Sequence, residues 1–221
     1  MEKKVVQIQV PNNWAAVTLR DYLKLKKDMD AYKDEPEAVI ACLFHHLCKF
    51  PVEYVQKLDL ETYNAIVNDL TSFIQNVQLP LQREINVEGV EYGFEPNLST
   101  MAYGAYVDIS KYKTMEINED WAEIMSILYR PIVKRAGQFY DIMPYSGYLD
   151  KETFLDVTMD VHFGAIFFFK TLLKDLLNTT LNSLTEEMKT APNMQSILGR
   201  SGEVIQALSN SQTEILQKLK K

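Results

Sequence analysis

The sequence predicts a predominantly α-helical α+β fold, in which a compact helical module carries a short strand and a β-hairpin. Apolar residues recur at helical spacing through most of the 221 residues, and 47% of the chain is hydrophobic, which is enough for a sizeable core. Residues 151–190 contain no proline and only one glycine, so this region predicts a long C-terminal helical arm. We therefore place the module over residues 1–148 and the arm over residues 149–221.

The first half of the module is predicted to be mainly helical. Residues 5–10 alternate between apolar and polar side chains, which indicates a strand. Helices are predicted over residues 19–31 and 36–48, with a short helix after them. Asp34 is expected to cap the second of these helices, and Asp59 to cap a fourth. The apolar stripe of that fourth helix comprises Tyr63, Ile66, Leu70, Phe73, Ile74 and Val77.

From residue 83 the spacing of apolar residues changes from a helical repeat to alternation. Residues 83–94 alternate around a Glu-Gly pair, which predicts a β-hairpin. Asn118 is expected to cap a helix that ends near Pro131. Residues 136–149 are predicted to form an irregular loop, because they combine glycine and proline with four aromatic residues. Residues 151–190 predict one long helix or two that are nearly continuous.

The last helix carries a weak heptad pattern. Leu198, Ile205 and Leu219 fall on one apolar position, and Leu208 and Ile215 fall on the other. The pattern suits either an oligomer seam or an amphipathic helix that packs against its own chain.

Two parts of the sequence resemble each other. Residues 17–25 and the apolar block 39–44 are echoed by residues 101–109 and 124–131. The echo predicts one packing unit that is used twice, a scaffold rather than a catalytic cleft.

Charge and hydropathy exclude two classes of partner. The formal net charge is −7, which argues against broad or sequence-specific binding to nucleic acid, since that needs clustered Lys and Arg. The longest apolar run covers residues 163–169, whereas a membrane-spanning helix needs roughly 20 residues. We therefore expect no stable membrane insertion.

One cluster of soft ligands occurs, at Cys42, His45, His46 and Cys48. A cysteine and a histidine on one helix face suit a transition metal. No second pair exists elsewhere to complete four ligands, so we expect no metal centre here and no cofactor.

Glu152, Asp156 and Asp160 recur every four residues, and His162 follows them. Such a stripe suits either a cation or acid–base site or the solvated start of a helix, where negative charge is favourable. We expect the solvated helix. The sequence also lacks a phosphate loop and a nucleophile elbow, so we assign no catalytic residue and expect no enzyme.

The tyrosines provide the clearest functional signal. The chain has 12 of them, and Tyr103, Tyr106, Tyr140, Tyr145 and Tyr148 lie outside the clean apolar stripes. Tyrosine combines a large contact area with a hydroxyl group, which suits protein–protein contacts. We take these five residues as a candidate partner surface, the alternative being ordinary packing at the edge of the core.

A family resemblance rests on four segments, Thr18–Leu23, Val90–Pro96, Met101–Ile109 and Ile124–Pro131. Their order resembles that in small virion or assembly proteins of tailed double-stranded DNA bacteriophages of Bacteroides-type hosts, the crAss-like phages among them. The resemblance covers roughly residues 15–135, and its motifs are apolar and structural.

The resemblance implies a non-enzymatic structural protein of the portal or tail region. Such a protein is a ring subunit, or a tail cargo protein that is ejected with the DNA. The alternative is an assembly chaperone that is absent from mature virions. The implied partners are other virion proteins (portal, ring or tail proteins) and further copies of this chain. The implied location is the virion, and the host cytoplasm during assembly.

Overall fold

The computed structural model describes residues 8–75, 79–98, 101–112 and 116–171, together with Asn182. It has a predominantly helical α+β fold, as the sequence predicts, and its strands form a four-stranded antiparallel sheet, of which the sequence predicts only the first hairpin. The chain divides into two compact units, Met1–Lys170 and Thr171–Lys221, whereas the sequence suggests a boundary after residue 148. Nearly all the described residues belong to the first unit.

The first half of this unit contains the four predicted helices: α1 (Leu19–Ala31), α2 (Pro36–Cys48), α3 (Val52–Val55) and α4 (Leu60–Gln75). The Thr18 hydroxyl accepts a hydrogen bond from the Asp21 backbone N–H and caps α1. Asp59 accepts one from the Thr62 N–H at 2.9 Å, which confirms the cap predicted for α4.

Two local predictions in this half are wrong. Asp34 does not cap α2, since the cap position belongs to Glu35, whose side chain makes no capping hydrogen bond. Residues 8–10 of the predicted first strand are not in a strand, and the preceding residues lie outside the described part. Ile8 and Val10 are half-buried against the core, so the alternation reflects alternate burial without a paired strand.

The predicted α4 stripe is buried at its centre, where Ile66, Leu70 and Phe73 join the core. Tyr63 is half-buried, Ile74 is exposed, and Val77 lies outside the described residues.

The sheet has the order β1-β2-β3-β4, with strands β1 (Glu84–Val87), β2 (Val90–Phe94), β3 (Tyr129–Ala136) and β4 (Phe139–Ile142). The hairpin of β1 and β2 is confirmed. Its turn residues Glu88 and Gly89 both have positive φ angles, 52° and 87°. Two positive φ angles are what a tight hairpin turn requires, and glycine meets this requirement without steric cost.

Two predictions in and just before the second hairpin are wrong. Helices α5 (Tyr103–Ser110) and α6 (Trp121–Leu128) precede it, and α6 ends close to its predicted end. Asn118 accepts a hydrogen bond from the Asp120 N–H in the turn before α6, so it does not occupy the cap position. Residues 136–149 contain β4 instead of only a loop. Pairing with β2, which is distant in sequence, turns the end of the apolar run into a strand.

Of the two arrangements predicted for residues 151–190, the described part fits two helices that are nearly continuous. It is divided into α7 (Lys151–Leu155) and α8 (residues 159–171); the part beyond, apart from Asn182, lies outside the described residues. At the break, the Leu19 N–H donates to the Val157 carbonyl at 3.0 Å and the Met159 N–H donates to the Val17 carbonyl at 2.7 Å. These two hydrogen bonds pair backbone groups of Val157 and Met159 that a continuous helix would have paired internally.

One face of the sheet packs on the core. The rings of Phe94 and Tyr129 contact each other and meet Phe154 and Phe168, with centroid distances of 5.2 Å for the first pair, 6.2 Å for Tyr129–Phe154 and 5.5 Å for Phe94–Phe168. The opposite face carries Gly93 and Arg130, which are directly paired and therefore lie on the same side.

Candidate protein-interaction surface

Helix α5 and the segment 143–148 are clasped together by Tyr145. The Tyr145 hydroxyl donates a hydrogen bond to the Asp108 carboxylate, which also pairs with Lys111 at 2.5 Å. A Cβ atom at Gly104 would lie 3.5 Å from the Tyr145 ring, so the ring packs directly against the start of α5. Two of the predicted tyrosine-bearing segments therefore form one continuous piece of the molecule.

Electrostatics keep this clasp closed at neutral pH. Burial, followed by the bond to Asp108, raises the pKa of Tyr145 to about 12. The bonds from Lys111 and then from Tyr145 lower the pKa of Asp108. The phenol is therefore a neutral donor and the carboxylate an ionised acceptor across the physiological range, which is the arrangement of a charge-assisted hydrogen bond.

Three of the five predicted tyrosines are exposed on the clasped piece. Tyr103 is 80% exposed, Tyr106 is 59% exposed and Tyr148 is 77% exposed. Tyr103 and Tyr106 are three residues apart on α5, so they lie on one helix face. Tyr148 follows Tyr145 in the adjoining segment. We call these three side chains the tyrosine surface.

The other two predicted tyrosines have internal roles. Tyr145 contacts Asp108 and Gly104 and so joins the two segments that carry the tyrosine surface. Tyr140 donates hydrogen bonds to the carbonyl oxygens of Arg83 and Phe94, at 3.0 and 2.8 Å, and joins β4 to the first hairpin.

Arg130 fixes the segment 143–148 to the sheet. Its guanidinium carbon lies 5.9 Å from the centre of the Tyr145 ring, within range of a cation–π contact. The Met143 N–H also donates to the Pro131 carbonyl at 2.8 Å. Arg130 is buried and forms an ion pair with buried Glu95. The segment that carries Tyr148 is therefore joined to β3 by contacts of both Arg130 and Pro131.

Sequence reasoning missed the Arg130–Glu95 pair. Arg130 follows an apolar run, and that run predicted only the end of a helix. A lone charge beside a long buried segment was the available signal, but its partner lies 35 residues away in the chain.

The cysteines and histidines of the predicted cluster have separate surroundings. His46 Nε2 lies 2.7 Å from Asp28 Oδ2, and the His45 ring packs edge-on against the His46 ring. Burial raises the pKa of both thiols, that of Cys48 to about 11. Within the described residues, no group of three or more Cys, His, Asp or Glu side chains is placed to hold a metal ion.

The predicted acidic stripe is likewise divided among partners. Arg20 binds Glu152 at 3.0 Å and Asp156 at 2.8 Å, which ties α1 to both ends of α7. Asp160 instead accepts hydrogen bonds from Gln82 and Thr158. The three carboxylates therefore do not converge on one site.

The predicted seam residues, Leu198, Ile205, Leu208, Ile215 and Leu219, lie outside the described residues, so the seam stays a prediction. Among the helices that are described, none is long and apolar enough to cross a membrane. No family model matches this chain, and no curated protein or solved structure matches it either.

Proposed function

We propose that this protein is a non-enzymatic structural protein of a tailed bacteriophage, located in the portal or tail region. It contacts other virion proteins through the tyrosine surface of Tyr103, Tyr106 and Tyr148. The observation that carries the proposal is the exposure of these three large side chains on two segments that the half-buried Tyr145 joins through its hydrogen bond to Asp108. The resemblance of residues 15–135 to small phage proteins supplies the biological setting.

The energetics favour a contact surface. Tyrosine loses little conformational freedom when it is covered, because it has only two side-chain torsions, and it buries a large area. The segment that carries Tyr148 is already ordered by Tyr145 and Arg130. A partner that covers these rings therefore does not have to order the backbone beneath them, which lowers the cost of binding.

Quantitative mass spectrometry of purified virions, scaled to the portal protein, tests the location. A whole-number ratio to the portal protein is expected. Comparison of particles before and after DNA ejection then separates a ring subunit, which is retained, from an ejected cargo protein. Absence from virions combined with abundance in infected cells would reject the structural role and favour an assembly chaperone.

The surface itself is tested by a triple variant, Tyr103→Ser, Tyr106→Ser and Tyr148→Ser, supplied to infected cells that lack the wild-type protein. We expect the variant to fold normally, because exposed substitutions usually change stability by less than about 0.5 kcal/mol. We also expect its copy number per particle to fall at least about tenfold, as loss of central aromatic anchors does in interfaces.

The matched control is Tyr32→Ser with Tyr54→Ser. Both side chains are 47% exposed and belong to the first half of the chain, outside α5 and the segment 143–148. Equal incorporation of the control and the triple variant would show that the tyrosine surface does not carry the contact.

A further inference from the structure

His162, on α8, is a buried titratable side chain that no part of the proposed function uses. Its exposed fraction is 0%, and so is that of its partner, Trp121 at the start of α6. The Trp121 Nε1–H group donates a hydrogen bond to His162 Nδ1 at 3.1 Å. Indole nitrogen is only a donor, so Nδ1 must be an unprotonated acceptor and the imidazole must be neutral, with its proton on Nε2.

The surroundings oppose a charge on this ring. His162 Nε2 has no hydrogen-bond partner of normal geometry among the described residues. Burial lowers the pKa of His162 to about 4, against weaker opposing effects of the Val157 and Phe154 carbonyls and of Asp160. A buried charge without a paired counter-ion is strongly unfavourable.

The charged groups on the neighbouring elements are engaged elsewhere. Asp160 on α8 accepts hydrogen bonds from Gln82 and Thr158. Glu123 on α6 accepts them from Tyr112 and Lys151. The carboxylates at the two ends of α7, Glu152 and Asp156, bind Arg20. None of these carboxylates forms an ion pair with the His162 ring.

We propose that the Trp121–His162 pair is an acid-sensitive latch that holds α8 against α6. A proton taken up by Nδ1 would place an N–H group opposite the Trp121 N–H group. The hydrogen bond would be lost, and the core would contain an unpaired imidazolium. Separation of α8 from α6 would admit water to the ring and so solvate this charge. This proposal does not depend on the phage assignment.

The direction of the pH effect follows from the two states of the chain. The unfolded chain takes up the proton near the ordinary pKa of 6.5, whereas the folded protein takes it up only near pH 4. The stabilising contribution of neutral His162 is therefore complete above pH 6.5 and is lost as the pH falls towards 4. Within this window the folding equilibrium constant drops by about tenfold per pH unit because of this group alone.

The test compares wild type with His162→Gln in urea unfolding from about pH 7 to about pH 4. Glutamine provides an oxygen acceptor for Trp121 but does not titrate. Both chains are studied in a Trp14→Phe background, so that the fluorescence reports Trp121. His46→Gln is the control, because it removes a histidine that is paired with Asp28 instead of buried alone.

We expect the folding constant of wild type, relative to His162→Gln, to fall by about tenfold per pH unit below pH 6.5. The His46→Gln variant still contains His162, so the pH dependence of its folding constant should match that of wild type. Equal pH dependence of wild type and His162→Gln would overturn the proposal.

If His162→Gln does not fold, NMR of the imidazole nitrogens in the wild-type protein decides the question. A ring that stays neutral, with its proton on Nε2, until the protein unfolds supports the latch. A ring that titrates near pH 6.5 in the folded protein overturns it.

Discussion

The ring of Tyr140 on β4 lies over Gly93 of β2, although β3 separates these strands. A Cβ atom at position 93 would lie 2.8 Å from Tyr140 Cδ2 and 2.9 Å from Ile142 Cγ2. The absence of a side chain at Gly93 is therefore what allows the Tyr140 hydroxyl to reach the carbonyl groups of Arg83 and Phe94.

Gly93→Ala should destabilise the protein by about 2 kcal/mol, the usual scale for forcing an extra methyl group into a filled space. The free energy of unfolding from chemical denaturation measures the effect. Gly104→Ala is the control, because its Cβ would be at an ordinary contact distance of 3.5 Å from Tyr145. The control should be neutral or gain up to about 1 kcal/mol from helix propensity. Equal losses in both variants would contradict this account.

Glu95→Gln should cost about 3 kcal/mol of stability, since it leaves the buried guanidinium of Arg130 without its counter-charge. Replacing both residues, as in Glu95→Leu with Arg130→Met, should cost less than the single change, because no buried charge remains. Urea unfolding of wild type, Glu95→Gln and the double variant measures the three free energies of unfolding. A double variant that is less stable than Glu95→Gln would show that the pair contributes net stability.

Alkaline pH should weaken the clasp between Tyr145 and α5. The folded pKa of Tyr145 is about 12, above the ordinary value of 10.0. The folded state therefore keeps its proton longer, and this contribution is present below pH 10 and lost as the pH rises towards 12. Wild type should be more stable than Tyr145→Phe at neutral pH, and this difference should shrink above pH 10. Tyr148→Phe is the exposed control and should show no such change in unfolding experiments.

The heptad pattern predicts that Leu208→Asp with Ile215→Asp will lower the oligomer mass, because two carboxylates would have to be buried in the seam. Light scattering on the full chain measures the mass. Asn210→Asp introduces a charge outside the two apolar positions and should leave the mass unchanged. An unchanged mass in the double variant, with its circular dichroism preserved, would mean that this helix packs against its own chain.

Local signals explain which parts of the fold could be predicted. Helix α1 and the hairpin at Glu88 and Gly89 are specified by nearby residues, through apolar spacing in one case and turn chemistry in the other. The same reasoning failed at β3, because its first residue, Tyr129, continues the apolar run of α6. Only pairing with β2 decides that Tyr129 begins a strand.

The candidate site was predictable only in part, for a similar reason. Exposed Tyr103, Tyr106 and Tyr148 could be suspected from their positions outside the apolar stripes. The contacts that join their segments could not, because Tyr145, Asp108 and Arg130 are far apart in the chain and meet only in the folded protein.

The backbone bonds between residues 17–19 and 157–159 have a consequence for how the protein is made. They join stretches about 140 residues apart, a long-range closure that is entropically costly and forms slowly. On the ribosome, α1 cannot acquire these partners until residue 159 has been synthesised and released from the exit tunnel. A nascent chain that stops at residue 148 has no partner for the Leu19 N–H. The module is therefore completed late in translation, by the residues that lead into α8.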